Sequence, residues 1–289
     1  MAKVSIIIPT RNEVFLVPTV KELLEKASGE IEVIVYLDGY WPNPPLPNDP
    51  RIIAIHRSMP KGMREGINTG VGVATGKYVM KIDGHCIIGE GYDEILQKDC
   101  DDDWMVIPRR YSLDEDNWCR REERMPVDYE YLRYPFYKPD EIGIHGTVWT
   151  ERTRENTELL IDDNMAFQGS CWFMPKKYFL YLGGLSEEGY GTFIGEPQEI
   201  GNKVWLLGGR LITNKKTWYA HLHKGKKWGR GYFMNKNETN YGNLYSVDYW
   251  YNDRLPNKIH NFEWLIDKFW PVPSWPSKDR KDWKPWTLS

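Results

Sequence analysis

Strands and helices alternate along the first hundred residues, and this order constrains the fold more than any other feature of the chain. Four segments are rich in β-branched and apolar side chains, as is typical of strands buried on both faces: 3–9, 32–37, 51–56 and 77–82. A helix opening near Asn12 and Glu13 and a glycine-rich helix over 62–74 separate them, and the proline-rich segment 41–50 fits a loop. This alternation predicts an α/β fold with a mostly parallel sheet flanked by helices, in which ligands bind at the carboxyl ends of the strands.

The later part of the chain is less regular. Residues 106–160 are charged and rich in tyrosine, which predicts an irregular insertion over the ligand site, and regular structure resumes over 165–223. The chain has an unusual aromatic content, with 14 Trp and 18 Tyr, and beyond about residue 232 it is rich in both tryptophan and proline. We expect this aromatic-rich tail to pack on the rest of the protein as an extension.

Composition excludes several classes of protein. Lys and Arg number 38 against 41 Asp and Glu, a net charge of -3. This excludes a protein that holds nucleic acid by its overall charge, although it allows a local basic patch. No segment approaches the roughly 18 apolar residues of a membrane span, and the first residues lack the features of a signal peptide. The four cysteines form no CxxC pair, so we expect a reducing compartment and no structural zinc.

A possible metal site follows the fourth predicted strand. Asp83 and His85 are two residues apart in an extended segment, so their side chains point the same way. Mixed oxygen and nitrogen ligation suits Mn²⁺ and related divalent cations, with positions left for phosphate oxygens and water. Taken alone, this tripeptide is more often a solvated turn at the end of a strand.

The surrounding sequence carries a resemblance to a known family. The segment VSIIIPTRNE at 4–13, Asp38 after the second strand, and the stretch from Gly62 to Asp83-Gly84-His85 resemble the nucleotide-sugar half of GT-A glycosyltransferases of family 2. The resemblance is closer to the catalytic domain of the polypeptide N-acetylgalactosaminyltransferases, whose D-x-H metal motif is usually followed by Cys, as Cys86 follows here. It covers roughly residues 3–100 and 165–224.

A second block makes the resemblance specific. GEPQE at 195–199 and KVWLLGG at 203–209 resemble that family's W-G-G-E-N-x-E and W-x-x-G-G segments. The family's third metal ligand is a histidine twelve residues after the glycine pair, which is His221 here. The resemblance therefore implies a GT-A fold and a divalent metal, Mn²⁺ or Mg²⁺, held by Asp83, His85 and His221.

The resemblance also implies roles for other residues. It implies transfer of a sugar from a nucleotide-sugar, expected to be a UDP-sugar, to an acceptor hydroxyl, with retention of anomeric configuration. Asp83 and Glu196 are the expected catalytic residues, Glu196 touching the donor sugar unless it only caps the following helix. The expected donor-binding residues are Thr10, Arg11, Glu13, Asp38, Gly62, Asn68, Gly169, Ser170, Lys224 and Arg230. Asp38, with Thr10 and Arg11, matches positions that hold the nucleoside, although an Asp before Gly39 also fits a simple turn.

Several departures from the family surround the expected sugar pocket. Phe193 and Ile194 replace its Trp and first Gly, and Pro197 replaces its Asn. Ser170 stands where the second glycine of a sugar-contacting pair is expected, and Ile67 replaces an arginine usual in family 2. The identity of the transferred sugar therefore stays open.

A basic segment offers three interpretations. Residues 200–237 contain nine Lys or Arg and no Asp or Glu. The part from Lys224 to Arg230 could close over the diphosphate as a lid, the run could be a solvated face, or it could follow a nucleic-acid backbone with aromatic stacking surfaces. The last interpretation supports an alternative function, a phage-type DNA glycosyltransferase acting on a hydroxylated modified base. A second alternative is an inactive carbohydrate-binding relative that uses the aromatic tail.

These expectations define a domain organisation. Residues 1–232 would form the catalytic domain, with a nucleotide-binding half at 1–105 and an acceptor and sugar half at 106–232, and residues 233–289 the aromatic-rich extension. The partners are a nucleotide-sugar donor and an acceptor hydroxyl on a protein, a glycan or a modified DNA base, with no membrane span. Because the sequence shows neither the membrane anchor nor the lectin domain of the related enzymes, we expect a soluble cytoplasmic protein.

Overall fold

The computed structural model describes residues 1–288, which form one α/β unit. The strands are β1 (Val4–Thr10), β2 (Ile31–Asp38), β3 (Ile52–Arg57), β4 (Tyr78–Ile82), β5 (Cys86–Ile88), β6 (Trp104–Asp114), β7 (Cys119–Arg120), β8 (Glu130–Arg133), β9 (His145–Val148), β10 (Ile161–Asp163), β11 (Cys171–Pro175) and β12 (Arg210–His221). The helices are α1 (Leu16–Lys26), α2 (Met63–Val73), α3 (Tyr92–Lys98), α4 (Thr150–Glu155), α5 (Lys176–Tyr181), α6 (Glu196–Leu206), α7 (Gly225–Trp228), α8 (Lys236–Tyr251) and α9 (Phe262–Lys268), followed by a 3₁₀ turn (Arg280–Asp282).

One large sheet organises the molecule. Its strand order is β10-β12-β6-β11-β4-β1-β2-β3, with β5 paired to β12 and β7 paired to β6. The pairs β12–β6, β4–β1, β1–β2 and β2–β3 are parallel, whereas β11 runs antiparallel to both β4 and β6. A separate hairpin joins β8 to β9. The predicted α/β class with a mostly parallel sheet is therefore confirmed.

Alternation along β1 places core residues on both faces of the sheet. Ile6 and Ile8 pack with α1 and α3, and Ile7 packs on the opposite face with α2. Both faces are covered because parallel strands are connected by helices that lie on the sheet. The carboxyl ends of β1, β2 and β4 are left free at one edge, where a ligand can approach the backbone.

The aromatic tail contributes to the main core. Trp250 of α8, Phe262 of α9 and the later Trp275 and Trp283 belong to the same buried cluster as Trp205 of α6. The Trp275 indole also donates a hydrogen bond of 2.6 Å to the Leu132 carbonyl. These contacts tie the tail to α6 and β8, while the division at residue 232 stays a prediction.

Two sequence-based expectations were wrong. The first helix begins at Leu16, not near Asn12, whose φ of 51° is left-handed. Residues 104–114, expected to be mostly irregular, form the long strand β6 beside β12. The reason lies in long-range partners: Arg109 and Arg110 look unsuited to a core strand, but they pair with Asp128 and Glu130 at 2.7 and 2.8 Å. In residues 1–288 we find no helix with the length and apolar character needed to cross a bilayer.

Candidate functional site

A cavity of about 880 Å³ lies at the carboxyl ends of the parallel strands. Thr10, Asp38 and Asp83, the last or next residues of β1, β2 and β4, lie on its floor. Residues 192–198 at the start of α6 and residues 221–235 after β12 form much of the remaining wall. This is the edge of the sheet at which the alternating sequence pattern predicts a ligand site.

Asp83, His85 and His221 converge in this cavity. One ligand atom from each lies within 4.8 Å of the other two. The His221 Nε2 and His85 Nε2 atoms are 3.3 and 3.9 Å from Asp83 Oδ2. The antiparallel pairing of β12 with β5 aligns His221 with Cys86 and so brings it beside His85.

The chemistry of this cluster fits a divalent metal. Both ring nitrogens of His221 are buried: Nδ1 has no partner, and Nε2 lies 3.3 Å from Asp83 Oδ2 without forming a well-aligned hydrogen bond. This arrangement is costly unless another group occupies the space. Burial lowers the pKa of His221 to about 3, so the ring is neutral, the form that binds a metal. The His85 Nδ1 atom lies 2.8 Å from Glu13 Oε2, which leaves Nε2 facing the cluster, as in many metal-binding histidines. One oxygen and two nitrogen donors suit Mn²⁺.

A buried lysine, which the sequence analysis missed, holds the aspartate of the cluster. Lys81 of β4 is 1% exposed, and its Nζ donates to Asp83 Oδ1 at 2.5 Å and to the Gly169 carbonyl. Burial raises the pKa of Asp83, but the Lys81 ammonium and the neighbouring His221 and His85 rings together outweigh this and lower it well below its usual range. The lysine inside the apolar strand YVMKI was the signal that could have revealed it, because an unpaired buried ammonium is too costly to occur.

Glu196 begins α6 and is 1% exposed. Its Oε1 atom accepts a hydrogen bond of 2.6 Å from the Trp172 indole. Its Oε2 atom lies so close to Gly169 that a Cβ at that position would overlap it. Burial raises the pKa of Glu196, while the nearby Lys81 ammonium opposes this shift. The structure therefore brings Glu196, Gly169 and the aspartate of the metal cluster to one wall of the cavity.

The residues expected near the nucleoside line the opposite part of the cavity. Asp38 is buried, and its two carboxylate oxygens accept the Lys61 and Gly62 backbone N–H groups at 2.6 and 3.0 Å. Gly62 has a φ of 93° and packs against Thr192, where a Cβ would not fit. Asp38 therefore fixes the loop before α2, whether or not it also contacts a ligand.

Arg11 and Thr10 are held by aromatic neighbours. The Arg11 guanidinium lies over the Tyr232 ring, 5.3 Å from its centroid, and the Thr10 hydroxyl is 2.6 Å from the Tyr40 hydroxyl. Tyr232 lies within the basic segment, just after Arg230, so Arg11 links the end of β1 to the wall that this segment forms.

One expected donor residue lies elsewhere. In the part of the chain that the structure describes, Asn68 is absent from the cavity lining. Its amide bridges α2 to the backbone of Leu185, donating to the carbonyl at 2.8 Å and accepting from the N–H at 3.0 Å. The position of Asn68 therefore gives no support to its expected donor role, because both amide atoms join α2 to the Leu185 backbone away from the cavity.

Ser170 lines the cavity but its hydroxyl is already engaged. Its Oγ donates to Gln168 Oε1 at 2.5 Å and lies 2.8 Å from the Tyr219 hydroxyl. Gln168 itself lines the cavity and was not predicted, since nothing in the local sequence distinguishes it.

The basic segment closes one side of the cavity. Lys224 Nζ binds Glu13 Oε2 at 2.5 Å, and Arg230 lies over the Phe193 ring at 4.9 Å. The carbonyl of Gly231 accepts a hydrogen bond of 2.6 Å from the Asn12 side chain. Residues 224–231, here named the cover segment, therefore contact both the loop that follows β1 and the segment just before α6.

Most of the charge in the basic stretch is neutralised. Six of its nine cations form ion pairs with carboxylates elsewhere in the chain: Lys203 with Glu199, Arg210 with Asp163, Lys215 with Asp128, Lys216 with Asp99, Lys224 with Glu13 and Lys227 with Glu115. A continuous track for nucleic-acid phosphates needs free cations, and this arrangement provides few of them.

Comparison with known proteins agrees with the fold. The profile of glycosyl transferase family 2 matches residues 5–179. Polypeptide N-acetylgalactosaminyltransferase 5 of Caenorhabditis elegans is 24% identical over 292 residues, an alignment covering 91% of this chain and 44% of that protein. The chain thus spans less than half the length of this relative.

Two solved structures share the fold. GalNAc-T7, crystallised with UDP, GalNAc and Mn²⁺, superposes with a TM-score of 0.66 at 16% identity, over 88% of this chain and 50% of that one. Staphylococcus aureus TarS, in complex with UDP-GlcNAc, superposes with a TM-score of 0.58 at 13% identity, over 92% and 71%. These likenesses extend the GT-A architecture beyond the segment that the family profile matches. The chain belongs to glycosyl transferase family 2.

Proposed function

We propose that this protein is a metal-dependent glycosyltransferase that moves a sugar from a UDP-sugar to an acceptor hydroxyl, with retention of anomeric configuration. The observation that carries the proposal is the cluster of Asp83, His85 and His221 in a cavity at the carboxyl ends of the strands. The buried nitrogens of His221, neither of which forms a well-aligned hydrogen bond, and the Glu13 carboxylate on His85 are what a metal site requires. The retained configuration rests on the resemblance to the N-acetylgalactosaminyltransferases.

The reaction defines what the site must do. The bond between the anomeric carbon and the diphosphate oxygen breaks, and its electron pair leaves with UDP. The acceptor hydroxyl oxygen bonds to the anomeric carbon, and its proton passes to the departing diphosphate, which carries the electron pair of the broken bond. Asp83, His85 and His221 would hold Mn²⁺, or Mg²⁺ in its place, and this ion supplies positive charge to the leaving diphosphate.

The other residues bind and orient the donor. Thr10, Arg11 and Asp38 would surround the nucleoside, since they line the part of the cavity next to β1 and β2. Glu196 would accept hydrogen bonds from sugar hydroxyls through Oε2, because Oε1 is already bound to the Trp172 indole. Lys81 keeps the aspartate of the metal cluster ionised and fixed in orientation.

The cover segment would close over the diphosphate. Lys224 and Arg230 line the cavity, and their present contacts are with Glu13 and the Phe193 ring. A diphosphate in the cavity offers both cations an alternative partner of higher charge. The ion pairs of the neighbouring basic residues favour this role over a nucleic-acid track.

A donor screen tests the proposal. UDP release would be followed with UDP-glucose, UDP-galactose, UDP-GlcNAc and UDP-GalNAc, with and without Mn²⁺. Acceptors would include a Ser/Thr peptide, oligosaccharides and hydroxymethylated duplex DNA. We expect Mn²⁺-dependent release with at least one donor, and the anomeric form of the product follows from its NMR coupling constant.

Matched histidine variants separate the metal site from general damage. His221→Ala should lose activity by at least about a hundredfold, since a ligand to the metal is removed. His260→Ala is the control, because His260 stacks on Trp264 in the tail, away from the cavity. Full activity in EDTA would overturn the metal mechanism. UDP binding without turnover on any acceptor would favour an inactive binding relative, and turnover on DNA alone would favour the DNA-modifying alternative.

A further inference from the structure

Gln168 lies on the cavity wall between the metal cluster and Glu196. It immediately precedes Gly169, whose carbonyl accepts from Lys81, and Lys81 in turn binds Asp83. Gly169 also faces the carboxylate of Glu196. Because a donor sugar is attached directly to the metal-bound diphosphate, this wall is where the sugar has to lie.

The orientation of the Gln168 amide is determined by its neighbours. Its Oε1 atom accepts from Arg110 Nη1 at 2.8 Å and from the Ser170 hydroxyl at 2.5 Å. An arginine can only donate, so the atom facing it must be the amide oxygen. The Nε2 group therefore points away from Arg110.

The Nε2 group is a free donor at the cavity surface. Within residues 1–288 it donates to no protein atom, and it is not among the buried polar atoms without a partner. Since Gln168 lines the cavity, this group is open to a ligand there. Its two N–H bonds would otherwise point only at water.

The groups that hold Gln168 are themselves fixed. Arg110 is buried on β6 and pairs with Glu130 of β8 at 2.8 Å. The Ser170 hydroxyl is 2.8 Å from the hydroxyl of Tyr219 on β12. A donor supported by side chains from three strands loses little freedom when a ligand binds, which makes its hydrogen bond selective.

We propose that Gln168 determines specificity for the transferred sugar by donating a hydrogen bond from Nε2 to an oxygen on the sugar ring. This deepens the proposed function and rests on it. Sugars whose hydroxyl or acetamido oxygen reaches Nε2 are preferred, and those that place a C–H group there are disfavoured because the donor is left unpaired. Ser170 acts through Gln168 as a positioning residue.

The test compares binding of UDP-sugars with binding of UDP itself, in the presence of Mn²⁺. Gln168→Met keeps the side-chain length and removes the amide, and Gln97→Met is the control, since Gln97 lies on α3 outside the cavity. In Gln168→Met we expect the preferred UDP-sugar to bind roughly three- to tenfold more weakly, the loss of one hydrogen bond. UDP should bind unchanged, because it lacks the sugar.

A deoxy donor identifies the sugar oxygen. The analogues are UDP-sugars that each lack one hydroxyl, and the quantity compared is the ratio of the dissociation constant of Gln168→Met to that of wild type. This ratio should be the same as for the intact donor in every analogue except the one that lacks the oxygen bound by Nε2. For that analogue the ratio should fall to about one. A purely structural role for Gln168 would not produce this pairing.

Two results would overturn the proposal. Equal weakening of UDP and UDP-sugars in Gln168→Met would show a structural role, and unchanged UDP-sugar affinity would show no contact. Failure of wild type to bind UDP with Mn²⁺ is a different outcome, because it overturns the proposed function and this proposal with it.

Discussion

Glu199 is the anion of a buried ion triad that joins α2 to α6. Its Oε2 binds Arg64, and its Oε1 accepts from Lys203 Nζ at 2.6 Å and from the Ser186 backbone N–H at 2.9 Å. Arg64 is fully buried and Glu199 is 1% exposed. Glu199→Gln keeps the shape of the side chain but leaves two buried cations without their anion, so it should lower the free energy of unfolding by about 3–5 kcal/mol.

Thermal unfolding measures this loss. At an unfolding entropy of about 2 cal/mol/K per residue, the 289-residue chain should melt about 5–8 °C lower in Glu199→Gln. Glu65→Gln is the control, because Glu65 lies on α2 beside Arg64 but pairs at 3.3 Å with Arg57, which is 47% exposed. A surface pair of this kind is worth less than about 1 kcal/mol, or under about 2 °C. If both variants melt within 2 °C of wild type, the triad does not stabilise the fold as argued.

Three further predictions concern the metal, the nucleotide and acid stability. Glu13→Gln should weaken Mn²⁺ binding about 10–100-fold, because the anion that orients His85 is lost; electron paramagnetic resonance titration measures this, and unchanged affinity would contradict it. UDP with Mn²⁺ should stabilise wild type by about 2.7 kcal/mol at a hundredfold excess over Kd, and Asp38→Asn should reduce the melting shift; an equal shift would show no role for Asp38. Although burial raises the pKa of Glu32, the Lys3 ammonium and neighbouring donors lower it to about 2. Its stabilising effect is therefore present above about pH 4.5 and is lost as the pH falls toward 2. In Glu32→Gln the melting temperature should therefore fall less than in wild type between about pH 4.5 and 2.

The local sequence was sufficient to predict the main strands of the first hundred residues. Strands β1, β2 and β4 have near-continuous apolar sequences because both faces are covered, and each ends where a polar residue enters the cavity. The same alternation predicted a ligand site at the carboxyl ends of these strands, and the structure has its cavity of about 880 Å³ there. These features depend on the spacing of apolar residues and on the residues that form turns, and both can be seen in a short window of sequence.

Features that depend on distant partners could not be predicted in this way. Strand β6 contains Arg109 and Arg110, and only their pairing with Asp128 and Glu130 makes a central strand possible. His221 was assigned to the metal by resemblance alone, since it lies far from Asp83 in sequence and is brought near it by the pairing of β12 with β5. No local pattern contains either relation.

The sequence identified Glu13 as a site residue, but it did not show which groups the Glu13 carboxylate contacts. The resemblance assigned it to the donor, but its Oε2 atom lies 2.8 Å from His85 Nδ1 and 2.5 Å from Lys224 Nζ. A carboxylate oxygen has two lone pairs, so it can serve both donors at once. One oxygen thus connects His85 of the proposed metal site to Lys224 of the cover segment, which is 211 residues from Glu13 in sequence. In the proposed closure, Lys224 would leave Glu13 for the more highly charged diphosphate. The hydrogen bond between Glu13 and His85 would then strengthen, because the oxygen would no longer be shared by two donors.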